Sequence, residues 1–309
     1  MIVTGIGQCS LDYLGLFNGY PEMNTKVEAL QWEEQGGGPV ATALVALSRL
    51  GISTRFHGVI GDDNAGERIR HSLVLEGVNT DGLLERKNAF SQRAFIAIEK
   101  DSGKRTIFWK RPSGMELKPE ELNENLLENT SFLLLDGLMK DVSMFTAQKA
   151  RDLNIPVMLD AGRAHEGMLD IAKLCDYVVA SEEFARDLGW KGNLDTLKDT
   201  AKQINNGVVS ITLGKMGSVT FLRDEVINIP SFKVEAVDTT GAGDVFHGGY
   251  IFGILKGLSL KNTIQFASAL AALKCVKVGG RAGIPNFNET ITFLEQNGLS
   301  GIVSGLRKS

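Results

Sequence analysis

The sequence predicts an α/β protein in which a mostly parallel sheet, covered by helices on both faces, carries a small β lid. Three observations lead there. From 131 to 213, short apolar runs alternate with helical stretches, the pattern of strands buried on both sides of a parallel sheet. Four strand-like segments, at 14–17, 26–32, 91–100 and 105–110, interrupt that alternation in the first third of the chain. Late in the chain, a run of small residues at 238–249 joins a strand-like stretch to a buried helix. A length of 309 residues suits one such domain over 1–309, with the lid drawn from about 13–34 and 90–111.

Charge and cysteine content narrow the function classes. Against 37 Asp and Glu stand 33 Lys and Arg, a net charge of −4, so neither nucleic acid nor an anionic membrane is an expected partner. Cys9, Cys175 and Cys275 are widely spaced and odd in number, which gives neither a disulfide framework nor a paired-cysteine metal motif and fits a reducing cytosol. Met1 runs directly into an apolar strand without a basic leader, and no apolar run reaches the ~18 residues of a membrane span. A cytoplasmic location is expected.

Taken in order, 2–6 is a strand. The stretch Gly5-Ile6-Gly7-Gln8-Cys9-Ser10 imitates a dinucleotide fingerprint, but its third glycine is Ser10, and Gly15, Gly19 and Pro21 stand where a helix should follow. Asp12, just past this strand, is suited to binding sugar hydroxyls or to capping a turn. The segments at 14–17 and 26–32 and the hairpin 91–100/105–110, turning at Asp101-Ser102-Gly103, form the lid. Gly36-Gly37-Gly38-Pro39 opens a helix that ends at Gly51; Pro suits the first helical turn and Gly the end, and the glycines before it permit a hinge and a close sugar contact.

A strand at 54–60, a turn at 61–66 and a helix at 67–75 come next. Strands at 132–135, 156–160, 175–180 and 208–213 then alternate with helices at 142–153 and 194–205. Ligands of such sheets meet the carboxyl ends of the strands, so Asp12, Asp160 and Leu213-Gly214 are expected on one rim. Residues 211–219 read as strand, glycine turn and strand, with the turn suited to run beneath a nucleotide. A strand is expected at 231–237, helices at 245–258, 260–278 and 289–296, and a loosely held tail at 298–309.

The turn Asp238-Thr239-Thr240-Gly241-Ala242-Gly243-Asp244 carries the chemistry. A helix N-terminus presents unpaired N–H groups and the positive end of the helix dipole, and Gly241, Ala242 and Gly243 let an anion come close to them. A carboxylate beside such a hole is ill suited to a resting phosphate. Asp244 makes sense as the base for a hydroxyl that attacks phosphorus. The run lacks the Gly-Lys-Ser/Thr of a Walker loop, and it comes too late to open a dinucleotide-binding unit.

In order and spacing, these stretches resemble the ribokinase-like (PfkB) carbohydrate kinases over nearly the whole chain. The matching residues are the helix start at 37–51, the Gly61-Asp-Asp-Asn-Ala-Gly66 turn, Thr212-Leu213-Gly214 through Gly217, and 238–244. Gly36 to Ala43, Phe246-His247-Gly248, Ala271 to Cys275 and Gly279 to Pro285 are further similar to the sulfofructose kinase-like subfamily. The resemblance implies a three-layer αβα sandwich with a lid, and transfer of phosphate from ATP, with Mg2+, to a sugar hydroxyl. By it, Asp244 is the base and Gly241, Ala242 and Gly243 the anion hole. Asp12, Gly37, Gly38 and Thr42 face the sugar, while Ser181, Thr212, Gly214, Gly217 and Ser268 line the ATP site. Asp238, Thr240, Gly279 and Gly283 match the positions that hold a monovalent cation such as K+ in many members.

The chain departs from the pattern in three places. Thr42 stands where many members have Asn, Ser181 and Phe184 where they have Asn and an acid, and Leu138 where the sulfosugar enzyme has an arginine. Arg105, Lys110 and Arg111 on the lid, and Arg163 after Asp160, are suited to greet an anionic sugar or a phosphate. A homodimer through the lid is expected. Two other readings stay open: a nucleoside kinase, with Phe17, Trp32 or Trp109 stacking on a base, and a sugar sensor without turnover.

Overall fold

A computed structural model of the protein describes residues 1–307. Along the chain, β1 (Ile2–Ile6) is followed by β2 (Ser10–Phe17), β3 (Gln31–Gly37), α1 (Pro39–Arg49), β4 (Ser53–Gly61), α2 (Asn64–Leu75) and β5 (Val78–Arg86). The hairpin of β6 (Arg93–Glu99) and β7 (Arg105–Lys110) comes next. Then β8 (Thr130–Leu135), α3 (Lys140–Asp152), β9 (Val157–Ala161), α4 (Met168–Ala172), β10 (Tyr177–Ser181), α5 (Glu182–Asp187), α6 (Leu197–Ile204) and β11 (Val208–Thr212) alternate. The chain closes with β12 (Ser218–Leu222), β13 (Glu225–Ile229), α7 (Ala242–Leu255), α8 (Leu260–Lys274), α9 (Phe287–Gln296) and α10 (Ser300–Leu306).

Nine strands form one sheet in the order β13-β12-β11-β10-β9-β8-β1-β4-β5. From β11 to β5 neighbouring strands run parallel, and β12 and β13 add an antiparallel edge. One apolar core, with Val3, Leu44, Phe56, Tyr250 and Phe266, joins α1, α2 and α7 to α10 to one face. The other, with Ile6, Leu133, Leu159, Phe184 and Ile211, joins α3 to α6 to the opposite face. This is the three-layer arrangement that apolar strands without polar alternation require.

The lid is a second sheet in the order β3-β2-β6-β7, in which β2 and β6 run parallel and the outer pairs antiparallel. Its apolar cluster, Leu14, Leu16, Ala94, Ile96, Ile98 and Val278, is separate from both cores. Gly38 links lid to body with φ 97°, in the left-handed region, and a Cβ there would strike the carbonyl of Gln8.

Several elements differ from the sequence reading. The lid strand expected at 26–32 lies at β3, so Gly36 and Gly37 end a strand instead of forming a free hinge. The edge strands β5 and β13 are additional, and 231–237 is irregular instead of extended into a ladder. Of the expected loose tail, α10 packs Ile302, Val303 and Leu306 into the core, while 308–309 lie outside the described residues. Its apolar triplet fits one face of a short helix, a signal that Gly301 and Gly305 obscure. Ile302→Ala is therefore expected to lower unfolding free energy by about 2–4 kcal/mol in urea titration; a loss below about 0.5 kcal/mol would mean the tail contributes nothing to the core.

Candidate active site

Helix α7 is the element on which the site is built. It starts at Ala242, three residues earlier than the sequence suggests, so Asp244 sits in its first turn. Its N-cap is Gly241, at φ 74°, with no side-chain cap. A Cβ on Gly241 would come within 2.8 Å of the Gly280 carbonyl, so glycine is needed both for the conformation and for the contact. Ala242 N–H bonds the Thr239 carbonyl at 3.2 Å, and Val245 N–H the Gly241 carbonyl at 2.9 Å. Among the described residues, Gly241 and Gly243 N–H have no such acceptor, and a Cβ on Gly243 would meet nothing within 4 Å. The open donors of the turn are thus Gly241 and Gly243, with Ala242 holding the turn closed. Further along, Gly248 lets α1 approach, with a Cβ site 2.8 Å from the Ala43 carbonyl, and Gly249 does the same for α8, 2.9 Å from Ala267.

The turn before α7 is braced by Asp238. Its Oδ1 accepts from Thr240 N at 2.8 Å and Thr240 Oγ1 at 2.6 Å, and its Oδ2 from Gly279 N at 2.7 Å. Lys274 Nζ donates to the Asp238 carbonyl at 2.8 Å. Gly283 packs so closely on Lys274 that a Cβ would overlap its carbonyl. Asp238, Thr240 and Gly279 are therefore joined by hydrogen bonds, with Gly283 packed on Lys274. The carboxylate and the carbonyl of Asp238 are both engaged by the chain's own donors. The lid reaches the same turn: Arg105 Nη1 donates to Thr239 Oγ1 at 2.8 Å, and Thr239 Oγ1 to the Gly103 carbonyl at 3.4 Å.

Asp244 has two buried titratable neighbours. His247, one turn along α7, and Asp160, at the end of β9, bring ligand-type atoms within 4.8 Å of one another and of the Asp244 carboxylate. His247 Nδ1 lies 3.4 Å from Asp160 Oδ2, outside hydrogen-bond geometry, and Nε2 lies 3.3 Å from the Val179 carbonyl. A carbonyl only accepts, so the ring nitrogen facing Val179 carries a proton. Burial lowers the His247 pKa, against Asp244 and the carbonyls of Val179 and Gly243, which raise it. Burial, then the charge of Asp136, pushes Asp160 up to about 8. Burial, then the charge of Asp160, pushes Asp244 up to about 7, against His247 and Arg105, which pull it down.

On the lid, Asp12 lies on β2 and accepts from Ser10 Oγ at 2.6 Å; burial raises its pKa. Gly37 faces it so closely that a Cβ would overlap its carboxylate. Thr42 is buried, and its Oγ1 accepts from Arg281 Nε at 3.3 Å. Arg281 also donates to the Gly37 carbonyl at 3.0 Å and to Ser72 Oγ at 3.3 Å. Burial pulls its pKa down to about 10, partly offset by Asp12. The guanidinium thus stands over the short Thr42, where an asparagine would need the space. At the carboxyl ends of β10 and β11, Ser181 and Thr212 are paired, and Gly214 (φ 56°) and Gly217 (φ 96°) shape the turn that follows. Ser181 also caps α5, and Phe184 is wholly buried in the core. Ser268 is half-buried on α8, a helix that packs on α7 and β13. Arg163 is taken by Asp187, at 2.7 and 3.0 Å.

His247, Lys274 and Arg281 are the site residues for which sequence reasoning gave no role. Each stands inside a stretch singled out for its small residues, and nothing local says that their side chains turn inward.

The pfkB family carbohydrate kinase model matches residues 4–286, and the chain belongs to that family. It is a kinase. Its relatives include fructokinases, ribokinases and a nucleoside kinase. Fructokinase-2 of Zea mays is 28% identical over 81% of this chain and 82% of its own length. Among solved structures, a provisionally named ribokinase of Agrobacterium tumefaciens is 28% identical, with a TM-score of 0.90 over 96% of this chain and 97% of that one. The ribokinase of Arabidopsis thaliana, solved with ribose and ATP, is 21% identical, with a TM-score of 0.80 over 95% of this chain and 98% of that one.

The raised carboxyl groups set a pH dependence of stability. In the unfolded chain they ionise near pH ~4; in the fold Asp160 holds its proton to about 8. The folded state therefore binds more protons between those values, and stability falls as pH rises through that window. Asp160→Asn removes the buried charge. In urea unfolding it is expected to exceed the parent by more than about 1 kcal/mol at pH ~8 and to match it at pH ~5. An equal offset at both would mean that Asp160 is ionised throughout.

Proposed function

We propose that the protein is an ATP-dependent sugar kinase in which Asp244 deprotonates the acceptor hydroxyl. The observation that carries this reading is the first turn of α7: an uncapped helix N-terminus with free Gly241 and Gly243 N–H groups and a carboxylate beside them. A phosphoryl group seated on these donors lies next to the base, and the lid residue Arg105 reaches the same turn through Thr239. Transfer through a loose transition state needs the proton late and the charge spread over the equatorial oxygens stabilised early. The N–H groups, the helix dipole and the Mg2+ that travels with ATP supply that stabilisation. Burial makes Asp244 a stronger base near neutral pH than a free aspartate, whose pKa is ~3.9.

The sugar lies between lid and sheet, against Asp12, Gly37, Gly38 and Arg105, with Thr42 reached by way of Arg281. The adenine nucleotide lies along Ser181, Thr212, Gly214, Gly217 and Ser268. The lid supports a homodimer as well. Its β7 is exposed along its whole length. Trp32, Phe95 and Phe108 stack across it with Trp32 58% and Phe108 52% exposed, an apolar face that a second copy would cover.

Release of ADP across a panel of sugars, sugar acids, sulfosugars and nucleosides tests the class; melting-temperature shifts without any ADP would point to a sensor. With the accepted substrate, Asp244→Asn is expected to bind sugar nearly normally and to lose more than about 100-fold in turnover. A variant that keeps its turnover would reject the base. The acid limb of kcat is expected near pH ~7, where burial holds the Asp244 proton. The titratable groups that face Asp244 are Asp160, His247, Arg105 and Asp12; Lys274 and Arg281 feel it from α8 and from the loop after it. A limb near pH ~4, the range of a free aspartate, would assign it to another group. Sedimentation at micromolar concentration is expected to give a dimer, and a monomer would count against the lid interface.

A further inference from the structure

Lys274, the last residue of α8, is a cation where none has an obvious partner. It is 0% exposed. Among the described residues its one hydrogen bond goes to the Asp238 carbonyl, and it makes no ion pair. An ammonium buried in that way is costly unless oxygens and negative potential surround it. Here the surroundings are the carbonyl it bonds, the Asp238 carboxylate and the carbonyl end of α8 itself. Burial lowers its pKa, while Asp238, Cys275 and Asp244 favour the charged form and Arg105 opposes it. An ammonium group has the charge of a potassium ion and nearly its size.

The position of this cation ties it to the phosphate turn. Asp238 links Lys274 through its carbonyl, Thr240 through Oδ1 and Gly279 through Oδ2, and the adjoining Gly280 lies against Gly241. We infer that Lys274 is a built-in substitute for the monovalent cation expected at Asp238, Thr240, Gly279 and Gly283, and that the protein works without K+. The lysine supplies the positive charge behind the anion hole from its own chain, so the turn is set in any salt. This inference rests on the kinase reading for its activity readout, and its stability readout is independent of it.

The test compares choline, sodium, potassium and caesium chlorides at matched ionic strength. The parent protein is expected to keep its rate within about twofold across them, and activation by potassium of more than about fivefold would overturn the inference. Lys274→Ala is expected to fall at least about tenfold in choline and to recover in part with potassium, caesium or ammonium. A folded Lys274→Ala that is fully active in choline, or that none of these ions raises, would also overturn it. If that variant does not fold, or if no substrate is turned over, the parent's melting temperature decides. Equal values in choline and potassium support the substitution, and a rise of several degrees in potassium is the mark of a bound ion and overturns it.

Discussion

The carboxylate of Asp238 is the constraint on which the site depends. With three hydrogen bonds it fixes the turn 238–241 to the loop at 279, and its carbonyl fixes both to the end of α8. Only when that turn is held does Gly241 take the left-handed conformation that leaves α7 uncapped. The uncapped end then leaves donors open in place of satisfying them with a side chain. Structural bracing and an open helix N-terminus are thus two sides of one arrangement. The donors that a serine or aspartate cap would have consumed stay available because the aspartate was moved three residues upstream.

A second layer of the site is electrostatic. Asp244 alone on a helix N-terminus would be strongly acidic, since the dipole favours its charge. Burial and Asp160 work in the opposite direction, and His247, its pKa lowered by burial, lies beside both carboxyl groups. Arg281 braces the junction of lid and body in a comparable way. It joins Gly37 and Thr42, on either side of the β3–α1 junction, to Ser72 on α2, and so fixes the start of α1 against the end of β3.

Much of this was legible in the sequence, for reasons that can be traced. Strands buried on both faces cannot alternate polar and apolar residues, so the parallel sheet announced itself from 131 onward. The glycines at 241, 248 and 249 also told the truth, because each meets a backbone or side chain too near for a Cβ or sits at positive φ. Edge strands β5 and β13 were not legible: their faces are part solvent, as in Val78-Asn79-Thr80-Asp81, and their pairing is decided by neighbours elsewhere in the chain. Lys274 reads in sequence as an ordinary basic residue at a helix end, where the dipole welcomes it. That it turns inward depends on a loop 36 residues distant meeting its tip. Arg281 met Thr42 across a separation of 239 residues. No local pattern encodes such contacts.

The separate apolar cluster of the lid has a consequence for how the structure opens. Leu11 on β2 faces Arg93 on β6 across a parallel pair, so the lid closes a long loop that contains α1, β4, α2 and β5. Its six-residue cluster is separate from both main cores, while Leu11 and Tyr13 of β2 tie the lid to one of them. Detaching the lid therefore breaks those contacts but no strand pairing of the nine-stranded sheet. Such an opening is sub-global and does not draw on the global unfolding equilibrium, so the lid strands should be the first amides of the β structure to exchange with solvent deuterium.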